Sequence, residues 1–118
     1  GYCSDEIDQK NSIDKLTVIC IPETIHKLGK ISPRYILDTF QIQNTGKEPL
    51  IIRNVKGSGG PARWPSKPIP ANGYGLIIVN YGQALTKKGK THKVWVINAN
   101  TYPEQSRIIL KAEIVDNK

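Results

Sequence analysis

The run "RIILKAEIV" (107–115) constrains the fold more than any other stretch of this chain. Ile108, Leu110, Ala112 and Ile114 share one parity, and Lys111 and Glu113 take the other. This is the period-two pattern of a strand with one buried face. Six more short runs have β-like composition: "KLTVICI" (15–21), "ETIHKLGKIS" (23–32), "YILDTFQIQ" (35–43), "LIIRNV" (50–55), "YGLIIVNY" (74–81) and "HKVWVINA" (92–99). Turn chemistry punctuates them, with "NTGKEP" (44–49) and "NTYPEQS" (100–106) as the clearest examples and Gly46 as the expected positive-φ residue of the first. No stretch combines helical period with caps. The expectation is an all-β chain: a single antiparallel β-sandwich of about seven strands over residues 15–118. Residues 1–14 are polar and acidic and read as a flexible N-terminal tether. Pro22 makes 15–21 an edge candidate. "YGLIIVNY" is apolar on both faces, as a central strand is.

At 118 residues the chain suits one domain that buries its own core without metal or disulfide staples. No apolar stretch approaches the ~20 residues of a membrane helix. The charge is uneven. Four of the ten acids lie in residues 1–14 with one cation, so residues 15–118 carry +10 of a chain total of +7. That balance can draw a nucleic acid or an anionic lipid. The cations are spread over many strands with no stripe in sequence, so a solvated basic surface is the plainer expectation.

The segment "NVKGSGGPARWPSKPIPANGYG" (54–75) looks at first like a phosphate cradle. A cradle needs glycines feeding a helix N-terminus. Pro61, Pro65, Pro68 and Pro70 forbid a regular helix here, so the segment reads as a proline-stiffened crossover between sheets. Gly89-Lys90-Thr91 fails as a P-loop, because Ala84 stands where the motif needs glycine. His26 and His92 stand alone in sequence. Asp38, an acid inside an apolar strand, is the one carboxylate to watch, and the expectation is that it faces outward or pairs with a nearby cation. No catalytic, metal-binding or cofactor-binding residue emerges. Lys87, Lys88, Lys90 and Lys93 around His92 can contact phosphate, but lysines at a hairpin tip also suppress edge aggregation. Trp95 reads as packing. Trp64, beside Arg63, reads either as a plug at one end of the sandwich or as an anchor for a partner. Arg63, Trp64, Tyr74 and Tyr102 are the candidate partner-binding residues, and Trp64, Tyr74 and Tyr102 are those that a sugar platform would use.

Two cysteines, Cys3 and Cys20, show no metal-ligand spacing. "CSDE" (3–6) resembles the start of a bacterial lipoprotein, with the acids after the cysteine similar to a surface-export signal of Bacteroidetes lipoproteins. That resemblance implies lipid attachment at Cys3. Tyr2 departs from it, since the preceding residue is normally small. A Cys3–Cys20 disulfide and a free thiol remain the other readings.

"HKLGKIS" (26–32), "FQIQNTGKEPLIIRNVKGS" (40–58), "WPSKPIPANGYGLIIVNY" (64–81), "HKVWVINAN" (92–100) and "IILKAEIV" (108–115) together resemble a bacterial family of exported Ig-like domains of unknown function, abundant in Bacteroidetes. "NTGKEPL" is the most specific part. The resemblance implies a sandwich akin to the ASH/hydin and major sperm protein domains, which are mostly interaction or scaffold modules. Members usually carry Ser-Cys-Gly-Cys after the second hairpin strand. Here Gly57-Ser58-Gly59-Gly60 stands there, so a role resting on those thiols is lost. The functional expectation is a non-catalytic module of an exported bacterial protein that binds a protein partner, by strand addition to an open edge in one version. A carbohydrate- or polyanion-binding module is the alternative. Nucleic acid is not the expected ligand, and contact with a membrane is expected only through a lipid on Cys3.

Overall fold

The computed structural model describes residues 1–6, 15–33, 37–58, 60–80 and 88–115. The strands are β1 (Tyr2–Cys3), β2 (Ile19–Ile21), β3 (Ile25–Ile31), β4 (Leu37–Asn44), β5 (Ile52–Gly57), β6 (Ala62–Arg63), β7 (Tyr74–Asn80), β8 (Gly89–Ala99) and β9 (Gln105–Ile114). They form two sheets. One has five strands in the order β1-β2-β4-β7-β6, and the other has four in the order β3-β9-β8-β5. No helix occurs among the described residues. The architecture is the expected Ig-like sandwich.

Each of the seven expected runs holds a strand. The two extra strands are short, and both lie where none is expected. β6 sits inside the crossover and pairs with β7 through Ala62↔Val79 and Arg63↔Ile78. β1 sits inside the stretch read as a tether and pairs with β2 through Tyr2↔Ile21 and Cys3↔Cys20. The front of that stretch is therefore tied down. The buried Ser4 hydroxyl accepts the Ile19 N–H at 2.9 Å. The rest of the tether reading, residues 7–14, lies outside the described residues. β1 also corrects the edge assignment of 15–21, because it covers β2. A further departure is β3, which pairs parallel to β9 in an otherwise antiparallel pair of sheets.

The core follows from parity. Ile19 and Ile21, Phe40 and Ile42, Ile77 and Val79, Trp95 and Ile97, and Ile108 and Leu110 all point inward and are buried. Each such side chain contributes roughly 1.5–3 kcal/mol through burial. The crossover from β5 to β6 changes sheets as expected and launches no helix from Gly60. It is pinned from below: the Trp95 indole N–H donates to the Gly60 carbonyl at 3.0 Å, and the Ser58 N–H donates to the Val94 carbonyl at 3.1 Å. Further on, Pro70–Gly73 forms a turn with Asn72 at φ 68° and the Gly73 N–H on the Pro70 carbonyl at 2.9 Å, a type II arrangement.

The "NTGKEPL" segment is not the turn of a hairpin, because it carries the chain from β4 in one sheet to β5 in the other, and a buried amide holds it in place. Asn44 Nδ2 donates to the carbonyls of Glu48 (2.8 Å) and Ile69 (2.9 Å). Its Oδ1 accepts the Thr17 hydroxyl (2.7 Å) and the Gly46 N–H (3.1 Å). Asn100 plays the same part from β8's end, accepting the Ile51 N–H and donating to the carbonyls of Lys15 and Pro49. Gly46 does not have the expected positive φ. It is glycine because a Cβ there would strike the Thr17 hydroxyl and lie 2.6 Å from the Val18 nitrogen.

Candidate functional site: the outer face of the five-stranded sheet

β4 and β7 pair without interruption from Leu37↔Asn80 to Gln43↔Tyr74. Directly opposed residues share a face. With Phe40, Ile42, Ile77 and Val79 committed to the core, Leu37, Thr39, Gln41 and Gln43 on β4 must point outward, and so must Tyr74, Leu76, Ile78 and Asn80 on β7. That explains why 74–81 is apolar on both faces. The strand is internal, but its second apolar face is not buried: Tyr74 is 69% exposed and Leu76 48%, and Leu37, diagonal to Ile78, is 70% exposed. Arg63 lies opposite Ile78 and carries the same face onto β6. Tyr74, Leu76 and Ile78 thus form a stripe along β7, with Leu37 on one flank and Arg63 on the other.

The other candidates do not join it. Trp64 follows Arg63 with the opposite parity and packs half-buried against the core, as a plug. Tyr102 is exposed in the β8–β9 turn, where its carbonyl accepts the Asp5 N–H at 2.7 Å. That places it beside β1, four strand spacings, or roughly 19 Å, from β6. Trp64, Tyr74 and Tyr102 therefore form no common platform for a sugar. Cys3 is bonded to Cys20 across the β1–β2 pair. Its sulfur is consumed by that bond, so the lipid-bearing role does not hold in this structure.

Asp38 does not face outward, one of the two readings expected for it, but pairs, and with a residue that sequence left isolated. It has the inward parity of Phe40, and β3 in the opposite sheet turns His26 toward it. His26 Nδ1 and Asp38 Oδ2 are 2.6 Å apart, and the imidazole stacks on Phe40 at 3.8 Å between centroids with the planes 9° apart. Asp38 Oδ1 also accepts the Thr39 N–H at 2.9 Å, and His26 Nε2 lies 3.6 Å from Glu23. Asp38 thus fixes the ring through Nδ1, and Nε2 is directed toward the exposed Glu23 carboxylate. The pair joins the two sheets at their rim. The inward parity of Asp38 is the sequence signal for a hydrogen-bonding partner across the sandwich. Among the described residues no group of three or more His, Cys, Asp or Glu side chains is placed to hold a metal ion.

The residues of the basic loop divide. Lys87 lies outside the described residues. Gly89-Lys90-Thr91 is not loop but the start of β8, and His92 and Lys90 are exposed on the outer face of the other sheet. Ser58 and Gly60 both meet β8, and besides the contacts already described the Ser58 hydroxyl accepts the Val94 N–H at 3.5 Å.

Known proteins resemble this chain at the level of fold. It matches a protein of unknown function from Porphyromonas gingivalis W83 with a TM-score of 0.75 at 19% identity, over 89% of this chain and 50% of that one. It matches the ASH/PapD-like domain 7 of human CEP192 with a TM-score of 0.64 at 9% identity, over 98% and 96%. It matches the YadV chaperone with a TM-score of 0.57 at 16% identity, over 81% and 51%. The chain thus spans about half the length of the first and third of these. No curated protein matches the sequence. The family pattern matches residues 19–114, from β2 to the end of β9, and the chain belongs to the family described as protein of unknown function DUF1573.

Proposed function

We propose that this domain is a non-catalytic protein-binding module of an exported bacterial protein, and that it holds its partner on the outer face of the five-stranded sheet. The observation that carries this reading is the stripe of Tyr74, Leu76 and Ile78 with Leu37 and Arg63 beside it. Single exposed apolar residues are ordinary, but a contiguous row with an aromatic and an arginine has the composition of an interface core. The structural likeness to a chaperone and to a PapD-like domain supports an interaction role.

The edges support the face over strand addition. β1 and β6 have two residues each, β3 carries two lysines and a bulge, and β5 carries Lys56 and its own register shift. Short length, lysines and bulges all discourage an incoming strand. Export is supported by the Cys3–Cys20 bond, since such bonds persist in oxidising compartments.

The test is quantitative co-purification with the tagged domain from cells of the source bacterium, comparing the native chain with Leu37→Glu/Leu76→Glu. A partner retained by the first and lost by the second is expected. Equal recovery by both removes this face from the mechanism. Turnover in a broad hydrolase or redox screen that vanishes in Asp38→Asn or His26→Ala overturns the non-catalytic reading.

A further inference from the structure

We propose that the outer face of the four-stranded sheet is a binding site for an acidic polysaccharide, seated on Lys27, Lys111, His92, Lys30 and Lys90. The register builds this site from residues far apart in sequence. Lys27 lies beside Lys111, which lies beside His92, so one row across β3, β9 and β8 holds only basic residues. In the next row Lys30 and Lys90 flank Glu113 from either side. All five basic side chains are exposed, and they border a depression of about 430 Å³. The four lysines face one carboxylate.

The second row depends on a bulge. Residues 27 and 30 have opposite parity, so in a regular strand they would point to opposite faces. Here the register shifts between them, with three steps on β3 matched to two on β9. Gly29 provides the shift at φ 70°, and open space lies where its Cβ would be. A bulge of this kind re-aims a side chain. Its effect is to bring a second lysine onto a face that already carries like charges directly opposed, an arrangement that costs stability. An anionic ligand offsets that repulsion.

The neighbouring row narrows the ligand class. Ile25, Ile109 and Val94 lie side by side on the same face, adjacent to the Lys27 row. A cationic strip against an apolar strip matches a ligand with carboxylate or sulfate groups on one side and C–H surface on the other, as an acidic sugar chain has. A nucleic acid is less well matched, because no Phe, Tyr or Trp lies in these rows as a platform on which successive bases could stack.

The probe is a heparin octasaccharide, titrated into the full chain at low salt and again as NaCl is raised. Binding that weakens steeply with salt is expected. Lys27→Gln/Lys111→Gln should reduce affinity about tenfold. Lys47→Gln/Lys67→Gln removes the same charge from the β4–β5 and β6–β7 connections, and should change it by less than about twofold. No binding at low salt, or equal losses in the two variants, overturns the proposal. Tighter binding of a single-stranded DNA oligonucleotide or of anionic phospholipid vesicles than of the octasaccharide, with the same sensitivity to Lys27 and Lys111, also overturns it in favour of that ligand.

Discussion

The two outer faces of the sandwich rest on one core and differ in almost everything else. The face of the five-stranded sheet shows Tyr74, Leu76, Ile78 and Leu37 among uncharged polar residues, with Arg63 at its margin. The face of the four-stranded sheet shows two rows of lysines beside an apolar row. Inward positions are tightly constrained, since a polar or undersized residue there costs several kcal/mol. Outward positions are nearly free of that constraint, so their chemistry reports what each face meets. The comparison also separates the candidates: the face proposed to hold a protein on one side and the face proposed to hold an anion on the other, with His26–Asp38 as a rim contact between the sheets.

The strongest way to break the comparison is to remove what the faces share. Phe40→Ala deletes a fully buried ring and the stacking surface of His26, and should cost about 3–5 kcal/mol in urea unfolding. Both binding activities should weaken together as the folded population falls. Asn44→Ala removes four hydrogen bonds and orphans buried groups on three segments, for an expected loss of about 3 kcal/mol. Asn98→Ala, which loses one bond to Asn54 on the outer face, should cost about 1 kcal/mol or less by the same measurement.

Other changes should act on one sheet alone. Cys3→Ser opens a link between residues 17 apart and should cost roughly 3 kcal/mol at most under oxidising conditions and nothing under reducing ones. Hydrogen exchange should then rise in β1 while octasaccharide affinity is unchanged. Leu76→Glu should leave stability within about 0.5 kcal/mol while abolishing partner recovery. The smallest effect sharpens the contrast most. Lys111→Glu places a carboxylate between Lys27 and His92, and should raise the melting temperature slightly, by roughly a few tenths of a kcal/mol in free energy, while eliminating octasaccharide binding. A variant that gains stability as it loses binding distinguishes a functional charge row from a structural one.

Much of the interior was legible in the chain. The parity of 107–115 named the inward residues of β9, the alternation in 92–99 placed Trp95 and Ile97 together, and the prolines after Gly60 excluded a phosphate-binding helix. The sites were legible only in fragments. Arg63 and Tyr74 were grouped with Trp64 and Tyr102 by residue type, and only the pairing of β6 and β4 with β7 puts the first two on one face with Leu37 and Leu76. Trp64 and Tyr102 looked equivalent to them by residue type, yet one parity step buries the first and the β8–β9 turn carries the second across the sheet. The lysines showed no stripe, because Lys27, Lys90 and Lys111 belong to three strands whose order and register are long-range properties. The Gly29 bulge is likewise invisible in a count of apolar periods.

Local pattern, then, determined by itself that the chain is made of strands, which residues of most strands turn inward, and that residues 54–75 cross between sheets without forming a helix. These follow from backbone sterics and side-chain alternation, which act over a few residues. Only the tertiary structure decided which of two apolar faces of β7 is buried, that Cys3 meets Cys20, that His26 meets Asp38, and that scattered lysines form rows. Each of these depends on which strands lie side by side and in what register, and that is set by the collective closure of one core.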